Sequence, residues 1–366
     1  MNILLTGATG TLGSKILFSL FEMEGARITK VYLPIRARKN ATPAERLEKM
    51  ICSEFAPPYV QKNLHGILAK LEVVEEGDFL DPKLFLKGRK LDFLIHSAGF
   101  VNLSTDLSAK KNIFMGNYGF TKEIFHSYAD HIQKFIYIST AFSIGNIGGT
   151  LQDDYLQSPN RYRNHYEASK HATEQFIWKE GKKNGVAVQI LRPSVLGGNL
   201  MDVPYFFISK YMVFYLFAKF FHNCDPKESI RISTHKNAGL NIIPTDYAAK
   251  VIVKVMGSNI DQLNIVHSKE TNLIKGMSRI FEEVGFSNFS FTSDPINAVS
   301  GFASKLEQFY YETIGIHLDP YLTSLPHEWD TTLLESILPL PLYDQEEYLM
   351  ESVAFAKNRQ FRNQQW

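Results

Sequence analysis

Tyr166 and Lys170 close the run Tyr166-Glu167-Ala168-Ser169-Lys170, so a phenol and an ammonium stand one turn apart on one face of a predicted helix. A tyrosine with its ordinary pKa near 10 is a poor acid–base group at neutral pH. A neighbouring ammonium favours the tyrosinate and draws the phenol toward working range. Earlier in the chain, Phe135-Ile136-Tyr137-Ile138-Ser139-Thr140-Ala141-Phe142 reads as a strand that ends in two hydroxyls. Thr140 is thereby placed to donate a hydrogen bond to an oxygen that gains charge. The three residues are equipment for moving a proton at a carbonyl or alcohol oxygen.

A second set supplies an anion site. Thr6-Gly7-Ala8-Thr9-Gly10-Thr11-Leu12-Gly13 lies between a predicted strand, 2–6, and a predicted helix, 11–22. One glycine permits the tight turn, one lets backbone amides approach a pyrophosphate, and one lets helix and strand pack closely. The helix N-terminus adds partial positive charge. The spacing is G-x-x-G-x-x-G, not the simplest G-x-G-x-x-G, and the plainer reading is an ordinary glycine-rich turn. Gly7, Thr9, Gly10, Thr11, Leu12 and Gly13 are the candidate phosphate-binding residues. At the end of the second predicted strand an NAD site wants a carboxylate for the ribose diol, and an NADP site wants arginine for the 2′-phosphate. This chain offers Pro34-Ile35-Arg36-Ala37-Arg38-Lys39 and no acid, which points to NADP(H). Chance cations in a solvated loop are the alternative.

These residues need a framework. The 366 residues suffice for one large α/β domain with a smaller one attached, or for two, and a 45% hydrophobic content supports a full core. Candidate strands at 2–6, 29–35, 69–75, 91–96, 134–139 and 186–191 are short and mostly apolar, as strands buried on both faces should be. Helical stretches near 11–22, 42–55, 107–131 and 164–184 alternate with them. Thr42-Pro43-Ala44-Glu45 opens the second helix with a cap, a proline and an early acid. The expected fold class is α/β, a Rossmann-like doubly wound parallel sheet with a smaller, helix-rich C-terminal substrate lobe. Residues 1–200 form the NADP-binding part, completed by a helix and a late strand within about 241–267; 201–240 and 268–366 form the lobe. Trp329-Asp330-Thr331-Thr332 reads as a helix start capped by Asp330 or Thr331.

Charge and cysteine usage exclude several classes. A net charge of +1, from 39 basic and 38 acidic residues without a basic tract, argues against nucleic acid as a partner. Two cysteines, Cys52 and Cys224, make no disulfide framework, and no H-E-x-x-H or C-x-x-C spacing implies a metal. A strand beginning at Asn2 leaves no room for a secretory signal, so a cytoplasmic location is expected. Residues 203–222 are long enough to cross a bilayer if helical. Lys210 and Lys219 would then lie about 180° apart around the helix, which opposes a transmembrane segment. A buried or pocket-covering aromatic helix is the expected outcome, with peripheral contact at a membrane surface as the lesser one. His165 and the loop pair Asp153 and Asp154 read as exposed polar residues more readily than as site groups.

Taken together, the motifs resemble the extended short-chain dehydrogenase/reductase family, from Asn2 to about Ser194. Within it, Pro34-Ile35-Arg36-Ala37-Arg38 with Arg46, Ile138-Ser139-Thr140-Ala141-Phe142 and Arg192-Pro193-Ser194 are most similar to the thioester reductase and fatty acyl-CoA reductase branch. That branch includes the terminal domain of carboxylic acid reductases. The resemblance implies that Thr140, Tyr166 and Lys170 are catalytic and that Lys170 also holds the nicotinamide ribose. It implies that Arg36 and Arg46 share the 2′-phosphate, and that Asp78 and Phe79 meet the adenine. Ser97, Ala98 and Gly99 match the family signature after the fourth strand, and Asn117 its helix asparagine. Pro193, Ser194 and Val195 would wall the nicotinamide. Family members often dimerise through two long helices, here 107–131 and 164–184, so a monomer or homodimer is expected. These residues match no adenylation or carrier domain, so the thioester is expected to arrive from another protein or as a CoA ester, and the 203–222 segment has no clear counterpart.

The activity expected is NADPH-dependent reduction of a thioester-activated acyl group, delivered by CoA or a carrier protein, to the aldehyde, with further reduction to the alcohol left open. The same triad acting on a ketone, alcohol or nucleotide sugar is the alternative, and a non-catalytic NADP-binding protein is the second. A binding module has no need of Tyr166 and Lys170.

Overall fold

The protein is described here by a computed structural model that covers residues 1–154, 161–364 and 366. Among the described residues, seven strands form one parallel sheet. They are β1 (Asn2–Thr6), β2 (Lys30–Pro34), β3 (Leu71–Val74), β4 (Leu91–His96), β5 (Ile132–Ile138), β6 (Ala187–Pro193) and β7 (Gln262–Ile265). Their spatial order is β7-β6-β5-β4-β1-β2-β3. The order reverses at β1 and β4, so the carboxyl ends of these strands open the crevice where ligands bind in such sheets. Every expected strand falls on an observed one, because each is an apolar run that must be covered on both faces.

Helices cover the sheet. In chain order the labelled ones are α1 (Thr11–Glu24), α2 (Pro43–Ile51), α3 (Leu107–Phe114), α4 (Phe120–Tyr128), α5 (His165–Asn184), α6 (Phe214–His222), α7 (Thr245–Val255) and α8 (Leu273–Val284). One face of the sheet shares a core with α1 and α7 through residues such as Ile16, Leu20, Val251 and Ile252. The other packs Ile124, Phe125 and Ile177 against Leu94 and Phe135. The expected capping box at the start of α2 forms: the Thr42 hydroxyl accepts from the Glu45 amide, and Glu45 accepts from the Thr42 amide. A separate apolar cluster joins α6 and α8 to later helices, with Phe217, Phe221, Phe281 and Tyr310 ring to ring.

Two expectations are corrected. The 107–131 helix is interrupted at Met115–Gly119 by a wider turn of π type. The 203–222 segment is helical only from Phe214 to His222, and among the described residues no helix is long and apolar enough to cross a membrane. Its first half is held by tertiary bonds instead: Phe206 donates to the Asn199 carbonyl, and Asn199 to that of Phe207. The Asp246 carboxylate meanwhile collects the amides of Leu200, Met201 and Asp202. The expected helix start after Trp329 is observed, with Thr331 in the N-cap position and the helix running from Thr332, while Trp329 itself ends a short strand, His327–Trp329, paired with Gly149–Leu151. Asp330 accepts from the Thr332 amide there.

The carboxyl edge is tied together by one buried ion pair. Glu174 of α5 faces Arg192 of β6 at 2.8 Å, both side chains almost wholly buried. Glu174 also accepts from Ser139 and Ser143, and Arg192 donates to the Asp153 carbonyl and to Gln262. Removing one partner of such a pair strands the other charge. Glu174→Ala is therefore expected to lower the unfolding free energy by about 3–5 kcal/mol, read from the midpoint of urea denaturation.

Candidate active site

The first turn of α5 sets the catalytic side chains. Asn164 caps it, its side-chain oxygen accepting from the Glu167 amide at 3.0 Å. The Glu167 carboxylate in turn accepts from the Arg163 backbone and guanidinium, so the entry to the helix is rigid. Tyr166 and Lys170 then face a cleft of about 1350 Å³ along the carboxyl edge of the sheet, and Thr140 enters it from the end of β5. The Lys170 ammonium donates to the Ile138 carbonyl at 2.7 Å and lies 4.2 Å from the Tyr137 ring centre. The Thr140 hydroxyl accepts weakly from the Phe142 amide at 3.3 Å.

Electrostatics modify the sequence argument. Burial lowers the Lys170 pKa from 10.5 to about 7, with the Glu174 carboxylate acting in the opposite direction. Burial, and then the Glu167 carboxylate, raise the Tyr166 phenol above its ordinary value. The expectation that Lys170 pulls the phenol down is outweighed here by desolvation. A phenol held protonated at neutral pH is the form that can give up a proton.

The glycine turn is built for close approach. Gly7 has φ +71°, and a Cβ there would lie 2.8 Å from the Ala98 amide nitrogen. A Cβ on Gly13 would meet the Gly7 carbonyl at 2.1 Å, so α1 packs on the turn only with glycine. The N-cap of α1, Gly10, provides no side-chain cap, and Thr9, Gly10, Thr11, Leu12 and Gly13 all line the cleft. Unsatisfied first-turn amides beside an open cleft suit a pyrophosphate. Ser97, Ala98 and Gly99 form the facing wall, fixed by the Ala98 amide on the Thr6 hydroxyl. His96 bonds Thr6 and Thr121, and burial depresses its pKa to about 3, so it is neutral.

Pro193, Ser194 and Val195 line the other end, and the buried Ser194 hydroxyl has no partner among the described residues. That orphaned hydroxyl, with the glycine cradle, fits a nicotinamide dinucleotide lying from turn to triad. At the adenosine end Arg36 and Arg38 are exposed on the cleft wall. Arg46 is buried there, donating to the Thr9 hydroxyl at 2.8 Å and to the Arg36 carbonyl. Phe79 lines the cleft, whereas Asp78 is exposed and off its wall; Glu76 lines it instead. Asn117 lies behind the wall, gripping both backbone polar groups of Phe100 and the Ser169 hydroxyl. It positions the loop and α5 together.

Several lining residues carried no local signal. Ser209 bonds Thr11, Asn363 and Gln364 close one side, and the Trp366 carbonyl accepts from Arg46 while its indole donates to the Thr9 carbonyl. Tyr321 enters from the C-terminal lobe and accepts from the Asn164 side chain at 2.7 Å. Only the folded chain brings these together. His165 bonds the Thr105 carbonyl, and Asp153 accepts from the Asn264 amide, its pKa raised to about 6 by burial. Both serve the scaffold. Among the described residues no group of three His, Cys, Asp or Glu side chains could hold a metal ion.

A glycine turn, strand-end hydroxyls and a Tyr–Lys helix face now share one cleft, and the sequence pattern of an NAD-binding family described as male sterility protein matches residues 5–252. The chain belongs to this family. It is an oxidoreductase of the extended short-chain dehydrogenase/reductase type that takes a nicotinamide cofactor. Fatty acyl-CoA reductase 1 of Rattus norvegicus is 23% identical over 402 residues, covering 96% of this chain and 72% of the rat protein. Three further curated relatives are spanned over 44% of their length or less. A thiolation-reductase di-domain from an archaeal non-ribosomal peptide synthetase superposes with TM-score 0.71 at 18% identity, over 98% of this chain and 76% of that one. UDP-glucuronic acid 4-epimerase from Bacillus cereus, solved with NAD, gives 0.64 at 18% identity, over 98% and 97%. At these identities the two structures establish the fold.

The Lys170 environment yields a titration. Below about pH 7 the amine is charged, and above it neutral, while in the unfolded chain it stays charged to about 10.5. Between those values the unfolded state binds the extra proton, so this group's contribution to stability rises with pH across that window. NMR titration of the lysine side-chain signals, with Lys170→Arg for assignment, should find one resonance moving near pH 7 in the cofactor-free protein.

Proposed function

We propose that the protein uses NADPH to reduce a thioester-activated acyl group, carried by CoA or a carrier protein, to the aldehyde and onward to the alcohol. The observation that carries this reading is the single cleft in which the cation-rich end of β2, the glycine turn, the Thr140–Tyr166–Lys170 set and an apolar far wall are continuous. The names of the rat relative and of the archaeal di-domain support the acyl-thioester class.

When bound, the cofactor supplies a hydride to the thioester carbonyl carbon. Thr140 donates a hydrogen bond to the carbonyl oxygen as it becomes an oxyanion, and Tyr166 transfers its phenolic proton to that oxygen. Lys170, anchored on the Ile138 carbonyl, offers its remaining N–H groups to the cofactor ribose and, when charged, stabilises the tyrosinate left behind. Reprotonation of Tyr166 from the hemithioacetal hydroxyl re-forms the carbonyl as the C–S bond breaks. Aldehyde and thiolate leave, the thiolate taking its proton from water; a second NADPH would supply the hydride, and Tyr166 the proton, that carry the aldehyde to the alcohol. Arg36 and Arg46, both on the cleft wall, would hold the 2′-phosphate, with the Trp366 carbonyl and Thr9 holding Arg46 in place.

NADPH oxidation at 340 nm against a panel of acyl-CoA and acyl-carrier thioesters tests the reading. Turnover is expected for lipophilic acyl groups, and Tyr166→Phe should lower kcat by about 10²–10⁴-fold. A panel without turnover, by protein that still binds NADPH, would instead favour a ketone or sugar substrate. Arg36→Ala should weaken NADPH binding by about tenfold, the loss of a charge-assisted phosphate contact, and leave NADH binding nearly unchanged. Equal effects on the two cofactors would remove the 2′-phosphate assignment.

A further inference from the structure

The matched family pattern stops at residue 252, yet part of the dinucleotide end of the cleft is built from residues far beyond it. Asn363 and Gln364 line the cleft together with Thr9, Arg36 and Arg46. The Asn363 side-chain oxygen accepts from the Tyr211 amide at 2.7 Å, and the Gln364 amide donates to the Ser209 carbonyl at 2.8 Å. Ser209 in turn bonds Thr11 at the start of α1. Trp366 is 5% exposed, its ring against Phe207, which stacks on Phe55 beyond the end of α2.

Trp366 grips the glycine turn and Arg46 at once. Its indole N–H donates to the Thr9 carbonyl at 2.9 Å, and its carbonyl accepts from Arg46 Nε at 2.9 Å. Arg46 spends two further N–H groups on the Arg36 carbonyl and the Thr9 hydroxyl. A guanidinium carries five N–H donors in a rigid fork, so among the described residues one is left on each terminal nitrogen. Phosphate oxygens take such donors in charge-assisted bonds. Arg36 and Arg38 share the same wall, so an anion seated there gains from all three cations. A long side chain already clamped in this way has lost its rotamer freedom before the ligand arrives, and binding need not supply that ordering.

We propose that Trp366 is a positioning residue for the 2′-phosphate: by clamping Arg46 against the glycine turn it sets the preference for NADPH over NADH. The proposal rests on the NADPH reading and adds to it a determinant outside the matched family pattern. NADH carries no 2′-phosphate, so its binding draws on the glycine turn but not on the Arg46 fork. Trp366 therefore separates the two cofactors, whereas a residue that only supported the fold would weaken both alike.

The experiment measures Kd for NADPH and for NADH by calorimetry, for the wild-type chain, Trp366→Ala, Trp366→Phe, Arg46→Ala and the double variant Arg46→Ala with Trp366→Ala. Trp366→Ala should weaken NADPH by about tenfold and NADH by less than about twofold. Trp366→Phe keeps a ring on Phe207 and removes the indole donor. It should move the same ratio by about threefold, and it decides the case if the alanine variant does not fold. In the Arg46→Ala background the loss from Trp366→Ala should fall below about twofold, because the residue it positions is gone. Equal weakening of both cofactors, tighter NADPH binding, or losses that add in full overturn the inference. If Arg46→Ala alone still abolishes the preference, the NADPH reading stands without it. Wild-type protein that binds the two cofactors equally overturns that reading and this inference with it.

Discussion

A guanidinium and a carboxylate, both cut off from water, must satisfy each other and every remaining donor and acceptor, and Arg192 with Glu174 do so at the centre of this protein. Their bonds reach the end of β5 through Ser139 and Ser143, the far edge of the sheet through Gln262, and the loop after β5 through the Asp153 carbonyl. Lys170 and Tyr166 lie one and two turns before Glu174 on the same helix face. The carboxylate that anchors the helix also opposes the loss of charge that burial imposes on Lys170. Scaffold and chemistry thus share one charge, and the site can be no looser than the pair.

The dinucleotide end is governed by steric contact more than by charge. Gly7 and Gly13 let turn, helix and the Ala98 wall meet at distances that a Cβ would forbid. Behind that wall a chain of neutral groups, Thr6, His96 and Thr121, satisfies buried polarity without a net charge. Arginines gather at the outer end, where Arg46 is held by Thr9 and the Trp366 carbonyl. Residues separated by more than three hundred positions along the chain so converge on one arginine.

The C-terminal lobe is bound to the sheet by polar contacts and filled by aromatic ones. Asp246 at the start of α7 gathers three amides of the 200–202 turn, and Tyr321 takes the free amide nitrogen of the helix-capping Asn164. Inside the lobe Phe217, Phe221, Phe281 and Tyr310 pack ring against ring. Strain at Val213, which has φ +52° at the N-terminal boundary of α6, is tolerated because these surroundings hold it.

Short-range physics made much of this legible from the amino acids alone. Apolar runs with turn residues at their ends marked all seven strands, the Thr42–Glu45 box marked a helix start, and glycine and Tyr–Lys spacings marked the two ends of the cleft. These signals work because hydrophobic periodicity and turn geometry act over a few residues. The aromatic 203–222 segment misled for the same reason: its composition favours a long helix, but Asn199 and Asp246 supply tertiary partners that hold its neighbourhood in turns. The raised phenol of Tyr166, the placement of Asn117 behind the wall, and the closure by Trp366 and Tyr321 were decided only in the folded chain. Burial and convergence of distant residues set each of them, and neither leaves a local trace in sequence.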